Sequence, residues 1–236
     1  MARKLAILLL LLVGAPLLAL TGWIALNRTD LPSPQDEDLR LERRLVPEES
    51  NGFHSLAAAA EAIDMPGDKE TWQRLRAFRA GEEQDKEWIL GHVARNQRAT
   101  ALLRSALAAP VIQLPPPAYD PDAMKVRTDL LPKLQQLVHL AGAQSRIALE
   151  GGDHEQAIEF ASLGLRLGHA LSAAESLDLV DLLVAASCQS LSLQDLEHVI
   201  REIAMPPTIA RELLDLLAAN RLSRAGWREV WSFEYQ

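Results

Sequence analysis

The chain opens with 22 consecutive uncharged residues, Leu5 to Leu26, and no later stretch repeats that pattern. As a helix rising about 1.5 Å per residue the run spans about 33 Å, enough to cross the hydrocarbon core of a bilayer. Gly14 and Pro16 fall inside it, which membrane helices tolerate when freed backbone groups find partners, and Trp23 suits an interfacial anchor. The competing expectation is a cleaved secretory signal with Val13-Gly14-Ala15 as its small-residue site. Cleavage there would leave Pro16 first, and the uncharged run continues for eleven residues beyond Ala15. The pattern therefore favours an uncleaved signal anchor over residues 1–26. Arg3 and Lys4 precede it, whereas Arg28 is followed by Asp30, so the positive-inside rule puts the N-terminus in the cytoplasm. The rest then lies outside, in a bacterium the periplasm.

Beyond the anchor the periodicity is helical. Residues 27–50 carry seven acids, four arginines and Pro32, Pro34 and Pro47 without a long apolar face, the pattern of an acidic tether. Ser50-Asn51 is placed to cap a helix through FHSLAAAAEAI. Trp72, Leu75 and Phe78 fall three apart on a second helix, Glu70 to Ala80, ended by Gly81, and a longer helix is expected over Glu83 to Ala108. The run PVIQLPPPAYDPD, residues 110–122, excludes regular helix through its five prolines and marks a boundary between helical subdomains at 51–109 and 123–236.

After that run, helices are expected at Thr128–Leu149, Asp153–His169, Glu175–Ser190, Leu193–Ala204, Pro207–Ala219 and Leu222–Phe233. Pro132 is assigned to a first turn, where its missing N–H costs nothing. The helix Glu175–Ser190 is apolar nearly all round and is expected at the centre of the core. Short connections favour antiparallel neighbours, so the fold class is all-α, an irregular bundle of helical hairpins behind a single transmembrane helix.

Composition supports that class: aromatic residues make up only 5% of the chain, and the body is rich in Ala, Leu, Glu, Gln and Arg. Without residues 1–26 the chain holds 22 basic and 32 acidic side chains, a formal charge of −10 against −8 for the whole. That acidity argues against nucleic acid, whose binding needs clustered Lys and Arg. The single cysteine, Cys188, excludes an internal disulfide framework and a CxxC redox pair. It falls within an apolar helix, where a buried, inert thiol is expected.

The segment Gln144 to Gly168, QSRIALEGGDHEQAIEFASLGLRLG, is similar to the turn and second helix of a tetratricopeptide (TPR) repeat. Gly152-Asp153 form the turn, Ala157 and Ile158 start the second helix, and Ala161 and Gly164 are the small residues that let two helices approach. Ala141 stands where an aromatic is usual, Ser145 where a glycine or alanine is, and no terminal proline follows at His169. The resemblance covers about one repeat and implies a TPR-like helical hairpin with a surface for peptide or protein and no chemistry of its own; a generic helical hairpin is the alternative.

Candidate chemistry is sparse. The six histidines lie at least 15 residues apart and form neither HExxH nor HxxxH. His198 and Glu202 share a helix face, but two ligands fall short of a zinc site. No GxSxG elbow or phosphate-cradling glycine loop occurs. Acids such as Glu61, Asp64, Glu150 and Asp153 are available for a carboxylate pair, and nothing singles them out. No catalytic residue, cofactor or metal is therefore assigned. Trp227, Trp231, Phe233 and Tyr235 near the C-terminus form a partner-docking patch or pack back onto the bundle. These readings lead to a membrane-anchored protein-binding or scaffold module at the cell envelope. The alternatives are a structural subunit of a membrane complex, or an envelope-polymer enzyme whose acids meet each other, or meet His139 or His169, only in the fold.

Overall fold

A computed structural model describes residues 46–64, 69–82, 86–115, 121–173, 179–203 and 206–220, with residues 121–124 described in backbone only. The described residues form eight α-helices: α1 (Phe53–Glu61), α2 (Lys69–Arg79), α3 (Lys86–Arg95), α4 (Gln97–Ala108), α5 (Pro121–Glu150), α6 (His154–Ser172), α7 (Leu179–Glu202) and α8 (Pro207–Ala219). A 3₁₀ turn at Glu48–Ser50 precedes them. Among the described residues there is no strand, only one isolated parallel bridge between Asn51 and Val111, so the body is all-α. No described helix is long and apolar enough to cross a membrane. The expected anchor, Leu5 to Leu26, lies outside the described residues, as do Trp227, Trp231, Phe233 and Tyr235 and the whole of the expected helix Leu222–Phe233.

The two predicted glycine stops have a common cause. Gly81 and Gly152 take φ of 88° and 77°, a backbone state that costs other residues a Cβ clash. After α2, Gly81 N–H bonds Phe78 O and Glu82 N–H bonds Ala77 O; after α5, Gly152 N–H bonds Leu149 O and Asp153 N–H bonds Ala148 O. Both pairs are Schellman closures that satisfy carbonyls the helix end would leave open. Asp153 then caps α6, its carboxylate accepting from Gln156 N–H at 3.0 Å. The hairpin read from the TPR-like segment thus forms where Gly152-Asp153 put it.

Three expectations need correction. The helix expected over Glu83–Ala108 is broken at Asn96, which is fully buried. Its amide donates to Asp64 O and His92 O and accepts from Asp64 N–H, binding the chain after α1 to the α3–α4 joint. Conversely, the two helices expected around Ser190 and Leu193 are one, α7, because the intervening Leu191-Ser192 carries no breaker and Ser192 Oγ donates to Ala161 O on α6. Pro132 lies inside α5, and Pro121 holds the first helical position instead.

The helix containing Cys188 is also less central than its composition predicts. Leu182, Val184, Ala185 and Cys188 are buried, but Leu179, Val180 and Leu183 face outward, Leu183 at 58% exposure. Only one face of α7 meets α6 and α5. The close approach to α6 runs over Gly164 and Gly168, where a Cβ would collide with Val138 and Cys188 O at the first position and with Ala185 O and Gln189 at the second.

One core continues across the proline-rich run. Leu56, Ala59, Leu103 and Ala106 before it cluster with Leu134, Leu137, Leu163, Leu167 and Cys188 after it. Ile112 and Leu114 of the run belong to the same cluster. The run is pinned to the start of α1: Gln113 N–H donates to Asn51 Oδ1 at 2.9 Å, Asn51 Nδ2 donates to Gln113 O, and Gly52 N–H donates to Val111 O. Asn51 Oδ1 also accepts from Phe53 N–H, although Gly52 and not Asn51 holds the N-cap position of α1, so Asn51 serves helix start and connector together from one residue before the cap. The end of the acidic tether joins in, Val46 N–H donating to Gln113 Oε1.

Candidate functional site

Charged groups inside the bundle come first, because burial is costly unless they are paired. Arg79, the last residue of α2, reaches across to α7 and grips Asp195 with both edges, Nε to Oδ1 at 2.9 Å and Nη2 to Oδ2 at 2.8 Å. Nη2 also donates to Leu191 O, and Nη1 donates to His139 Nδ1 on α5. Such a fork uses the planar guanidinium in the way a lysine cannot. Gly142 on α5 makes room for it, since a Cβ there would overlap Arg79 and Asp195. Because Arg79 stays charged, His139 Nδ1 must accept, so the ring is the neutral tautomer with its proton on Nε2. Its pKa is pushed down to about 3 by burial, then by Arg79 and Arg76. Trp72 meets the ring edge-on with centroids 4.8 Å apart. Burial pushes the Asp195 carboxyl up to about 6 against the pull of Arg79.

An acid and His139 do converge here, as an assembled active site would require. Both Asp195 oxygens and His139 Nδ1 are, however, engaged by Arg79, and Asp195 and His139 are each 7% exposed. The trio joins α2, α5 and α7 and presents no free base to a substrate. Arg127 on α5 makes a second buried link, pairing with Asp181 on α7 and donating to Pro115 O at 2.8 Å. Sequence reasoning found neither pair, because the partners are 116 and 54 residues apart.

A third cluster lies at the surface. Arg146 on α5 binds Glu150 at 2.9 Å and Glu202 on α7 at 2.8 Å; Lys86 on α3 binds Glu150 at 2.6 Å, and His198 binds Glu202 at 3.0 Å. His198 and Glu202 thus come together on one face of α7 as predicted, and Arg146 Nη1 reaches both His198 Nε2 and Glu202. Hydrogen bonds from Lys86 and then Arg146 hold the Glu150 carboxyl below its usual range despite the opposing effect of its burial. Asp153 is occupied as a cap, and Asp64 pairs with Arg95 at 3.4 Å. Cys188 is buried, which pushes its thiol up to about 12, so it is inert as expected. Among the described residues no three His, Cys, Asp or Glu gather where they could hold a metal ion.

Among the cavities of the described residues, one of about 320 Å³ lies where α3 and α4 meet the α5–α6 hairpin. Its apolar walls are Val93, Ala101, Ile147, Ala148 and Phe160, and its polar lining is Gln97, Thr100, Arg104, Gln144 and Gln156. Thr100 and Gln144 are 2% and 8% exposed. Thr100 Oγ1, Gln144 Oε1 and Arg104 Nε are all buried and have no hydrogen-bond partner among the described residues. Native interiors rarely leave such atoms unpaired, and each costs about 1–3 kcal/mol when it is. All three belong to side chains that line one cavity. Arg104 is held in place from its other side, its guanidinium pairing with Glu159 and lying 4.8 Å from the Phe160 ring centroid. Glu159 thus neutralises the one cation in the lining.

The sequence signals for this site were slight. Gln144 opens the TPR-like segment, and Gln156 and Phe160 fall within it, but Thr100 and Arg104 look like ordinary positions on an amphipathic helix. A cleft of about 490 Å³ between α6 and α8 gathers Glu155, Glu159 and Glu212 beside Arg166, without any unpartnered buried polar atom of its own among the described residues. No family model, no curated protein and no solved structure matches this chain.

Proposed function

We propose that this chain is a protein-binding or scaffold module at the cell envelope, anchored by Leu5 to Leu26 with its helical body outside the cytoplasm. The observation that carries the binding half is the cavity at the α4/α5/α6 junction, which sets Gln97, Thr100, Arg104, Gln144 and Gln156 among apolar walls. Binding sites of this kind pair an apolar lining with a few convergent polar groups. The cavity has the lower end of the volume range expected for such sites, about 300–1,000 Å³. The α5–α6 hairpin, the part that resembles a TPR unit, supplies half of its lining. The anchoring half rests on the sequence, on the uncharged run and the Arg3/Lys4 asymmetry.

A photo-crosslinking residue at Gln97, exposed at the cavity rim, tests the binding reading in native membranes. The expected result is a discrete protein adduct that is absent when the crosslinker stands at Leu214, which is 66% exposed on α8. The same adduct should be lost when Ala101 at the rim is changed to Trp. No adduct from Gln97, or adducts identical to those from Leu214, would remove the site from consideration.

A further inference from the structure

The cleft of about 490 Å³ between α6 and α8 has an apolar floor and an acidic rim. Along α8, Ile209, Glu212, Leu213 and Leu216 fall at i, i+3, i+4 and i+7, one face of the helix, and Ile158 of α6 adds to the floor. Leu213 is buried, whereas Ile158, Ile209 and Leu216 are only half-buried. On the rim, Glu159 already pairs with Arg104. Glu155 and Glu212 are exposed and make no ion pair among the described residues. A fitting occupant brings large apolar groups flanked by cations, since like charge against this rim is costly.

The chain itself supplies such a segment at the edge of the cleft. Asn220, the last described residue, lines an adjoining pocket together with Arg166, and Arg166 also lines the cleft. Gln189 Nε2 on α7 donates to Asn220 O at 2.9 Å and fixes that exit. Sixteen residues follow, Arg221 to Gln236, outside the described ones. Within the helix expected over Leu222–Phe233, Arg224, Trp227, Arg228 and Trp231 repeat the i, i+3, i+4, i+7 spacing, and Glu229 falls off that face. That helix would be about 18 Å long, against about 16 Å of cleft along α6 between Glu155 and Arg166.

We infer that the segment Arg221 to Gln236 turns back from Asn220 and fills the α6/α8 cleft, Trp227 on Leu213 and Leu216, Trp231 on Ile158 and Ile209, and Arg228 pairing with Glu212. An antiparallel course along α8 sets this register: the tryptophans are four residues apart, as are Leu213 and Ile209, about 6 Å in each helix. Because the connection from Asn220 is short, the segment meets the cleft at an effective concentration of about millimolar, which a second copy or a separate protein has to outcompete. The aromatic C-terminus is then part of the body and not a patch offered to partners.

The test uses the full-length protein purified in detergent, in two measurements. With benzoylphenylalanine in place of Trp231, irradiation should join the C-terminal segment to a peptide containing Ile158 or Ile209, in a product with the mass of one chain. The rate of chymotrypsin cleavage after Trp227 tracks the population of undocked segment. It should rise about threefold to tenfold in Arg228→Glu, which exchanges an ion pair for a repulsion, and return toward the parent rate when Glu212→Arg is added. Asp215→Arg, also exposed on α8 but outside the cleft, should not restore it. Glu212 is exposed, so an unchanged circular dichroism spectrum is expected throughout. A product with the mass of two chains gives the cleft to a second copy and overturns the inference. So do crosslinks confined to residues outside the cleft, no crosslink at all, or a parent cleavage rate equal to that of the free 221–236 peptide. Equal rescue by Asp215→Arg overturns the pairing of Arg228 with Glu212. None of these variants touches the cavity at the α4/α5/α6 junction, so crosslinking from Gln97 stands or falls separately.

Discussion

Replacing Arg79 by Met removes four hydrogen bonds from the interior at once: two from Asp195 and one each from Leu191 O and His139 Nδ1. The side-chain volume is roughly kept, so the effect is electrostatic. Breaking a buried pair by deleting one partner costs about 3–5 kcal/mol, because the other charge stays behind unpaired. For a domain whose total stability is about 5–15 kcal/mol that is a large fraction. The Asp195→Leu second change removes the stranded carboxylate, so the double variant should recover at least about 2 kcal/mol of the loss. The remainder, about 1–2 kcal/mol, is the cost of leaving Leu191 O and His139 Nδ1 without a donor.

The single variant carries its own pH signature. Without Arg79 the folded-state Asp195 carboxyl rises above the already elevated value of about 6. A raised folded pKa gives a contribution that is full below the unfolded value and lost as pH rises through the folded one. Arg79→Met should therefore be less destabilising at pH 5 than at pH 8. Urea unfolding followed by circular dichroism, on the parent, both single variants and the double at the two pH values, measures all of this. A cost below about 1 kcal/mol for Arg79→Met at both pH values, or a double variant no more stable than that single one, would refute the reading of the trio as a buried structural link.

His139 acts with the opposite sign from Asp195. Its folded pKa is depressed to about 3, so the unfolded chain binds the extra proton between about 6.5 and 3, and stability falls as pH falls through that window. Relative to His139→Gln, which still has Asp195, the parent should lose up to about 1.4 kcal/mol per pH unit there; parallel stability curves would contradict it. Asn96→Ala removes three hydrogen bonds made by a fully buried side chain to Asp64 and His92 and should cost roughly 2–4 kcal/mol by chemical unfolding. Gly168→Ala drives a methyl into Ala185 O and Gln189 and should cost about 1–3 kcal/mol; a neutral result would show that α6 and α7 can separate freely. Ser190 is exposed on α7, so Ser190→Cys in a Cys188→Ser background should react with a membrane-impermeant maleimide in intact spheroplasts, and protection until lysis would place the body inside the cell.

Periodicity and punctuation made much of the local architecture legible in advance. Gly81, Gly152 and Asp153 act within a few residues of themselves, through φ > 0 and a side-chain cap, so their effect is written where they stand. The burial and inertness of Cys188 followed from its apolar surroundings in sequence. The all-α class followed from the same apolar spacing over long stretches. The breaks that were misplaced depended on distant partners: Asn96 interrupts a helix because Asp64, 32 residues earlier, needs its amide, and α7 runs on past Ser190 because α6 receives the Ser192 hydroxyl.

The site belongs to that second kind. Helical spacing puts Thr100 and Arg104 on one face of α4, and a glycine turn puts Gln144 and Gln156 on facing helices, yet nothing local says that these four residues share a cavity or that three of their polar atoms lack partners. Arg79, His139 and Asp195 are likewise unremarkable surface-type residues until the packing of α2, α5 and α7 buries them together. By itself the sequence determined the all-α class, the helix stops at Gly81 and Gly152, that the body is acidic, and that an apolar run long enough for a membrane precedes it. Only the tertiary structure decided which polar groups are paired and which side chains share a cavity, because hydrogen-bond satisfaction is a property of three-dimensional neighbours and carries no periodicity along the chain.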